Sequence, residues 1–237
     1  MLLLVLRLKE NNKIKASERK LFCFMRHIYF LLFIFSFSGF SQQKVIKTVD
    51  DKTMEISVLS FGLDYVEIVN SDANQLEIEL KDENFVDYQI VVNEANSSCK
   101  ISFKKAVLER ESPIFKKFIT KRTSKVSAVL KIPQNKRITI FGKDIDVYSK
   151  SYNGDLKIYV DKGEIQLHKI MHQTEVRLFN GNISATVSKT NIDITSNNGV
   201  ILINNQKHLK KYNQKKSTNN KSLAIKSINA NIKLTSL

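Results

Sequence analysis

Tryptophan is absent from this 237-residue chain, and cysteine and proline occur twice each. Of the two cysteines, Cys23 lies in the apolar N-terminal region and Cys99 stands alone further on. A lone cysteine excludes an internal disulfide framework and reads as a small buried side chain in the strand CKISF. Seven of the fourteen phenylalanines fall in residues 1–41, so the remainder is poor in the aromatic platforms that sugar or single-strand nucleic-acid sites favour. Catalytic signatures are equally scarce: there is no P-loop, GxGxxG, GxSxG or HExxH motif. No stretch between 42 and 237 has the apolar spacing of a long amphipathic helix.

What the chain does contain begins with a leader-like segment. Met25-Arg26-His27 is basic, Ile28–Phe37 is a ten-residue apolar run, and Gly39 and Ser41 place small residues before Gln42. This is the pattern of a secretory signal peptide over 25–41, cleaved near Ser41. Only 13 residues separate Ile28 from Phe40 inclusive, short of the roughly 20 that span a bilayer. No cysteine follows the run to carry a lipid. The pattern predicts export to the periplasm or cell surface, no transmembrane anchor after cleavage, and a translation start at Met25 with 1–24 as an upstream extension. Removing 1–41 takes away seven Lys/Arg and two acids, lowering the formal charge from +15 to +10. The mature chain is basic enough to attract polyanions.

Glycine marks a nine-residue lattice in the C-terminal half: Gly154, Gly163, Gly181 and Gly199, with His172 and Thr190 at the skipped points. The third column holds Leu156, Ile165, Thr174, Ile183, Ile192 and Ile201; the fifth holds Ile158, Leu167, Val176, Ala185, Ile194 and Ile203. Polar residues such as Lys157, Gln166, Glu175 and Asp193 lie between them. Apolar residues at every second position describe half-buried strands. A strand and a turn every nine residues, about 18 per coil, predict an all-β fold of stacked short strands, a β-solenoid. Residues 42–133 are strand-rich without a repeat, with SAVLKIP closed by Pro133. The expected organisation is one domain over 42–237: an irregular β part to 133, then a repeat part over 134–237.

Two basic stretches interrupt the pattern. Residues 106–125 carry Lys116, Lys117, Lys121 and Arg122 among apolar residues spaced for a short helix or lid. Residues 206–222 carry Lys207, Lys210, Lys211, Lys215 and Lys216 and read as a protruding loop. These lysines and Arg122 are the candidate contacts for an anionic envelope polymer or lipid head group. Specific nucleic acid is not the expected partner of an exported protein.

The remaining polar residues carry no convergent chemistry. His168 and His172 are four apart, but on a strand and its following turn that spacing makes no metal pair. The turns lack the regular aspartate column of calcium-binding nonapeptide coils. Asp144, Asp146, Asp155, Glu164, Glu175 and Asp193 occupy solvated strand positions. No catalytic, cofactor or metal residues are expected.

The motifs Ile132-Pro133, Ile138–Gly142, Asn153-Gly154-Asp155-Leu156, Asn180-Gly181-Asn182-Ile183, Asn198-Gly199 and Ser227–Ile232 together resemble the bacterial putative-adhesin family of exported β-solenoid proteins. The resemblance covers most of 45–237. Ala230 stands where the family's closing step carries glycine, and the 206–222 insertion is a second departure. The resemblance implies export and a β-solenoid and supplies no catalytic residue. The leading expectation is a non-enzymatic structural or adhesin-like envelope module. A polysaccharide-active β-helix enzyme and a periplasmic sensing or scaffold domain are the alternatives.

Overall fold

The computed structural model describes residues 43–49, 54–82, 88–105, 125–215 and 221–237. The leader and upstream extension lie outside these residues, as do Lys116, Lys117, Lys121, Arg122 and Lys216 with most of the expected 106–125 helix or lid.

The described residues contain sixteen strands and no helix. In chain order they are β1 (Gln43–Val49), β2 (Glu55–Leu59), β3 (Tyr65–Ser71), β4 (Leu76–Asp82), β5 (Tyr88–Ala95), β6 (Ser98–Lys105), β7 (Val126–Pro133) and β8 (Arg137–Asp144). There follow β9 (Asp146–Ser149), β10 (Asp155–Leu167), β11 (Gln173–Val187), β12 (Asn191–Ser196), β13 (Ile201–Ile203), β14 (Gln206–His208), β15 (Lys211–Gln214) and β16 (Ser222–Ser236). All belong to one hydrogen-bonded sheet.

The lattice sets the register. Ile138 partners Leu156, Leu156 partners Thr174, and Ile165 lies between Val147 and Ile183, each step advancing 18 residues in parallel. The expected alternation is the burial observed. Ile158, Leu167, Val176, Ile183, Ile194 and Ile203 are buried, while Gln166 and Asp193 are exposed and Lys157 and Glu175 half-exposed. Each aliphatic side chain withdrawn from water contributes about 1.5–3 kcal/mol, most of it offset by ordering the chain.

The strands run in two rows joined through β10, β11 and β16, which take part in both. One row is β5-β6-β2-β8-β10-β11-β16-β12-β15; the other is β1-β4-β7-β3-β9-β10-β11-β16-β13-β14. Buried residues from both form a single hydrophobic cluster. Of the four lattice glycines, Gly154 and Gly199 fall between strands as expected, and the other two do not. Gly163 and Gly181 lie inside β10 and β11, at φ of +153° and +139°. A Cβ on Gly181 would sit 1.9 Å from the Gly163 carbonyl oxygen, so adjacent backbones stack there with no room for a side chain.

Strand order departs from simple stacking in one place. β12 does not follow β11; β16 lies between them, parallel to both. Ala230 of β16 thereby partners Gly181 in the glycine column.

The basic stretch after Ile203 also departs from expectation. Over 206–214 it is mostly strand rather than a free loop. β14 pairs antiparallel with β13 and β15 with β12. Asn204 and Asn205 make the two-residue turn into β14 with φ of +49° and +66°. Two consecutive positive φ values suit the twist of a tight hairpin, and asparagine tolerates them better than most residues. At the opposite end β5 and β1 pair antiparallel with β6 and β4. Parallel strands fill the middle of each row and antiparallel ones close its ends. Lysines on a terminal strand also discourage further pairing.

Candidate functional site

The outward side chains of the β5-to-β15 row form the most feature-rich surface described. Register places Leu59, Phe141, Tyr159, Arg177, Lys226, Thr195 and Lys211 side by side on seven successive strands. At about 4.8 Å per step the line is about 29 Å long. The Phe141 and Tyr159 rings are 5.5 Å apart and tilted by 37°. The Arg177 guanidinium carbon lies 5.1 Å from the Tyr159 ring centre. Arg177 also donates from Nε and Nη2 to Oε1 of Glu175 at 2.8 and 2.7 Å. Burial, followed by the Glu175 carboxylate, raises the Tyr159 hydroxyl above its ordinary value of 10.0, and Arg177 partly opposes them.

Phe61, Phe179 and Ile228 border this line, and they are 54%, 54% and 42% exposed. Together with Phe141, Tyr159, Arg177, Lys226 and Asp161 they line an open groove of about 950 Å³. Its rings come from four separate parts of the chain, which is why a low aromatic count gave no hint of a platform. A signal was nonetheless present: Phe141, Tyr159 and Arg177 are 18 residues apart, an outward column on the same lattice as the inward ones. Arg177 and Lys226 are cations on adjacent strands. Such neighbours repel by a few tenths to about 1 kcal/mol, and an anion placed between them relieves this.

Of the described candidate lysines, all four are exposed. Lys211 lies in the line itself, Lys210 and Lys215 adjoin the two ends of β15, and Lys207 is on β14, which closes the other row. The other candidates are outside the described residues. The carboxylates do not converge: Glu175 is engaged by Arg177, Asp146 accepts from the backbone N–H of Glu164 at 2.7 Å, and β16 separates Glu175 from Asp193. His168 Nδ1 is 3.0 Å from Ser151 Oγ. Among the described residues no three His, Cys, Asp or Glu side chains are grouped to hold a metal. No helix among the described residues is long and apolar enough to cross a membrane.

No family model and no curated protein matches the chain. Solved structures do. A putative adhesin from Bacteroides fragilis NCTC 9343 aligns over 83% of this chain and 98% of its own, at 8% identity and a TM-score of 0.28. A putative cell adhesion protein from Clostridium sporogenes ATCC 15579 aligns over 83% of this chain and 100% of its own, at 12% identity and a TM-score of 0.57. That second likeness is one of fold: this all-β chain shares the fold of that putative cell adhesion protein.

Proposed function

We propose that this protein is an exported, non-enzymatic, adhesin-like envelope module that binds an acidic polysaccharide along the groove of Phe141, Tyr159, Arg177 and Lys226. The line of rings and cations carries the reading. Ring faces suit the apolar faces of sugars, and neighbouring cations suit carboxylate or sulfate groups spaced along a polymer. A line of about 29 Å matches an extended chain better than a small compact ligand. The lysines on and beside β15 extend the positive surface beyond the groove, and the fold shared with a putative cell adhesion protein is compatible with this role.

The test is retention on immobilised heparin, polygalacturonate and neutral dextran across a salt gradient. Anionic vesicles serve as a separate arm. The wild type should be retained by the acidic polymers and pass through dextran. Retention should weaken as salt rises past about 0.1 M, where the Debye length is about 10 Å. Tyr159→Ala and the double variant Arg177→Gln/Lys226→Gln should each elute at lower salt. Retention equal in all variants, or binding to vesicles alone, overturns the proposal.

A further inference from the structure

The position of β16 is optional with respect to the lattice. Thr174 of β11 and Ile192 of β12 both take Leu223 as their register partner. Val176 and Ile194 share Ile225, Ile183 and Ile201 share Ile232, and Ala185 and Ile203 share Leu234. The two sides of the slot therefore differ by 18 residues, the same step that relates β10 to β11. Without β16, β11 and the β12–β13 segment would meet in the parallel register used elsewhere, with Gly181 facing Gly199. β16 is an inserted strand in a stack whose sequence spacing already closes without it.

Closing the slot has an electrostatic cost that an inserted strand avoids. Glu175 and Asp193 both partner Ala224, which now stands between them. Direct pairing of β11 with β12 would place these two carboxylates opposite one another, and like charges in that position repel. The slot thus favours a strand with a small neutral residue at this point. That strand must also bring Leu223, Ile225, Ala230, Ile232 and Leu234 to the buried face, where all five lie at 0–1% exposure. It must pair on both edges, since β16 is hydrogen-bonded in parallel to β11 on one side and to β12 and β13 on the other, where the Ser196 hydroxyl also donates to the Ala230 carbonyl at 2.9 Å and the Val200 N–H to Asn231 Oδ1 at 3.1 Å. Beyond the chain's own β16, the segment that meets every condition is the β16 of another copy.

We infer that the slot between β11 and β12 is an assembly site that accepts β16 from a second copy of this chain, so that copies join by exchanging this strand. Every contact is kept in the exchange. The balance between self-insertion and exchange then depends on the connection ahead of Ser222 and on protein concentration. The inference is independent of the polysaccharide proposal.

The register pair Asp193 and Ala224 tests it, because both face outward and the cysteines that replace them would lie within disulfide reach. In the full chain carrying C23S and C99A, the single variants Asp193→Cys and Ala224→Cys are unfolded, mixed in equal amounts, refolded together and oxidised. The double variant Asp193→Cys/Ala224→Cys, refolded when dilute, is the control. Exchange predicts a disulfide-linked species of twice the chain mass that contains the peptide pair 193–224. It should rise with concentration and be missing from either single variant alone. An unlinked mixture, beside a double variant that closes at monomer mass, overturns the inference. A double variant that fails to close also overturns it, because β16 would then not lie beside β12.

Discussion

Arg177 lies over the ring of Tyr159, 5.1 Å from its centre, while gripping Glu175 on its own strand. One cation is shared between a ring and a carboxylate, and the hydroxyl of Tyr159 reports the balance. Burial and Glu175 raise its pKa and Arg177 lowers it. Glu175→Gln should therefore lower the Tyr159 pKa, and Arg177→Gln should raise it further. Ultraviolet absorbance titration of each variant, with and without Tyr159→Phe, isolates this tyrosine. A Tyr159 pKa that ignores both substitutions would mean that the three groups are not in contact.

The glycine column sets a sharp contrast between two neighbours. Gly181 has φ of +139° and no room for a Cβ, whereas its partner Ala230 is accommodated and fully buried. Gly181→Ala should destabilise the fold by about 2–4 kcal/mol, combining strain with displacement of the Gly163 backbone. Ala230→Gly should cost about 1 kcal/mol, from a lost buried methyl and added freedom of the unfolded chain. Urea denaturation midpoints measure both. Equal losses would contradict the stacking.

Cys99 is 1% exposed on β6, beside Ile56 of β2. Burial is the chief cause that pushes its thiol from 9.0 up to about 11. The folded state thus favours the neutral thiol. Its contribution to stability is complete below pH 9 and is lost as the pH rises through about 11. Cys99→Ala should lessen the loss of stability between those two values. In the native protein the thiol should resist a thiol-specific reagent at pH 8 and react at once in denaturant. Rapid reaction without denaturant would place Cys99 at the surface.

Sequence alone determined the all-β class, the inward columns and the 18-residue step, because alternation of period two and the spacing of glycines are local properties of the chain. Ile158, Val176 and Ile194 could be assigned to the core one strand at a time, without knowing which strands were neighbours. The groove was half legible: Phe141, Tyr159 and Arg177 follow the lattice, but Lys226 and Lys211 join their line only through pairing with distant strands. Tertiary structure alone decided where β16 goes. β11 presents one hydrogen-bonding edge that either β12 or β16 would match in register, and the choice turns on long-range pairing that no local pattern carries. The terminal strands β14 and β15 were hidden for a related reason. An edge strand is held mainly by the open backbone groups of its neighbour, so Gln206–His208 and Lys211–Gln214 need little apolar alternation and resemble a loop until the partner strand is in place.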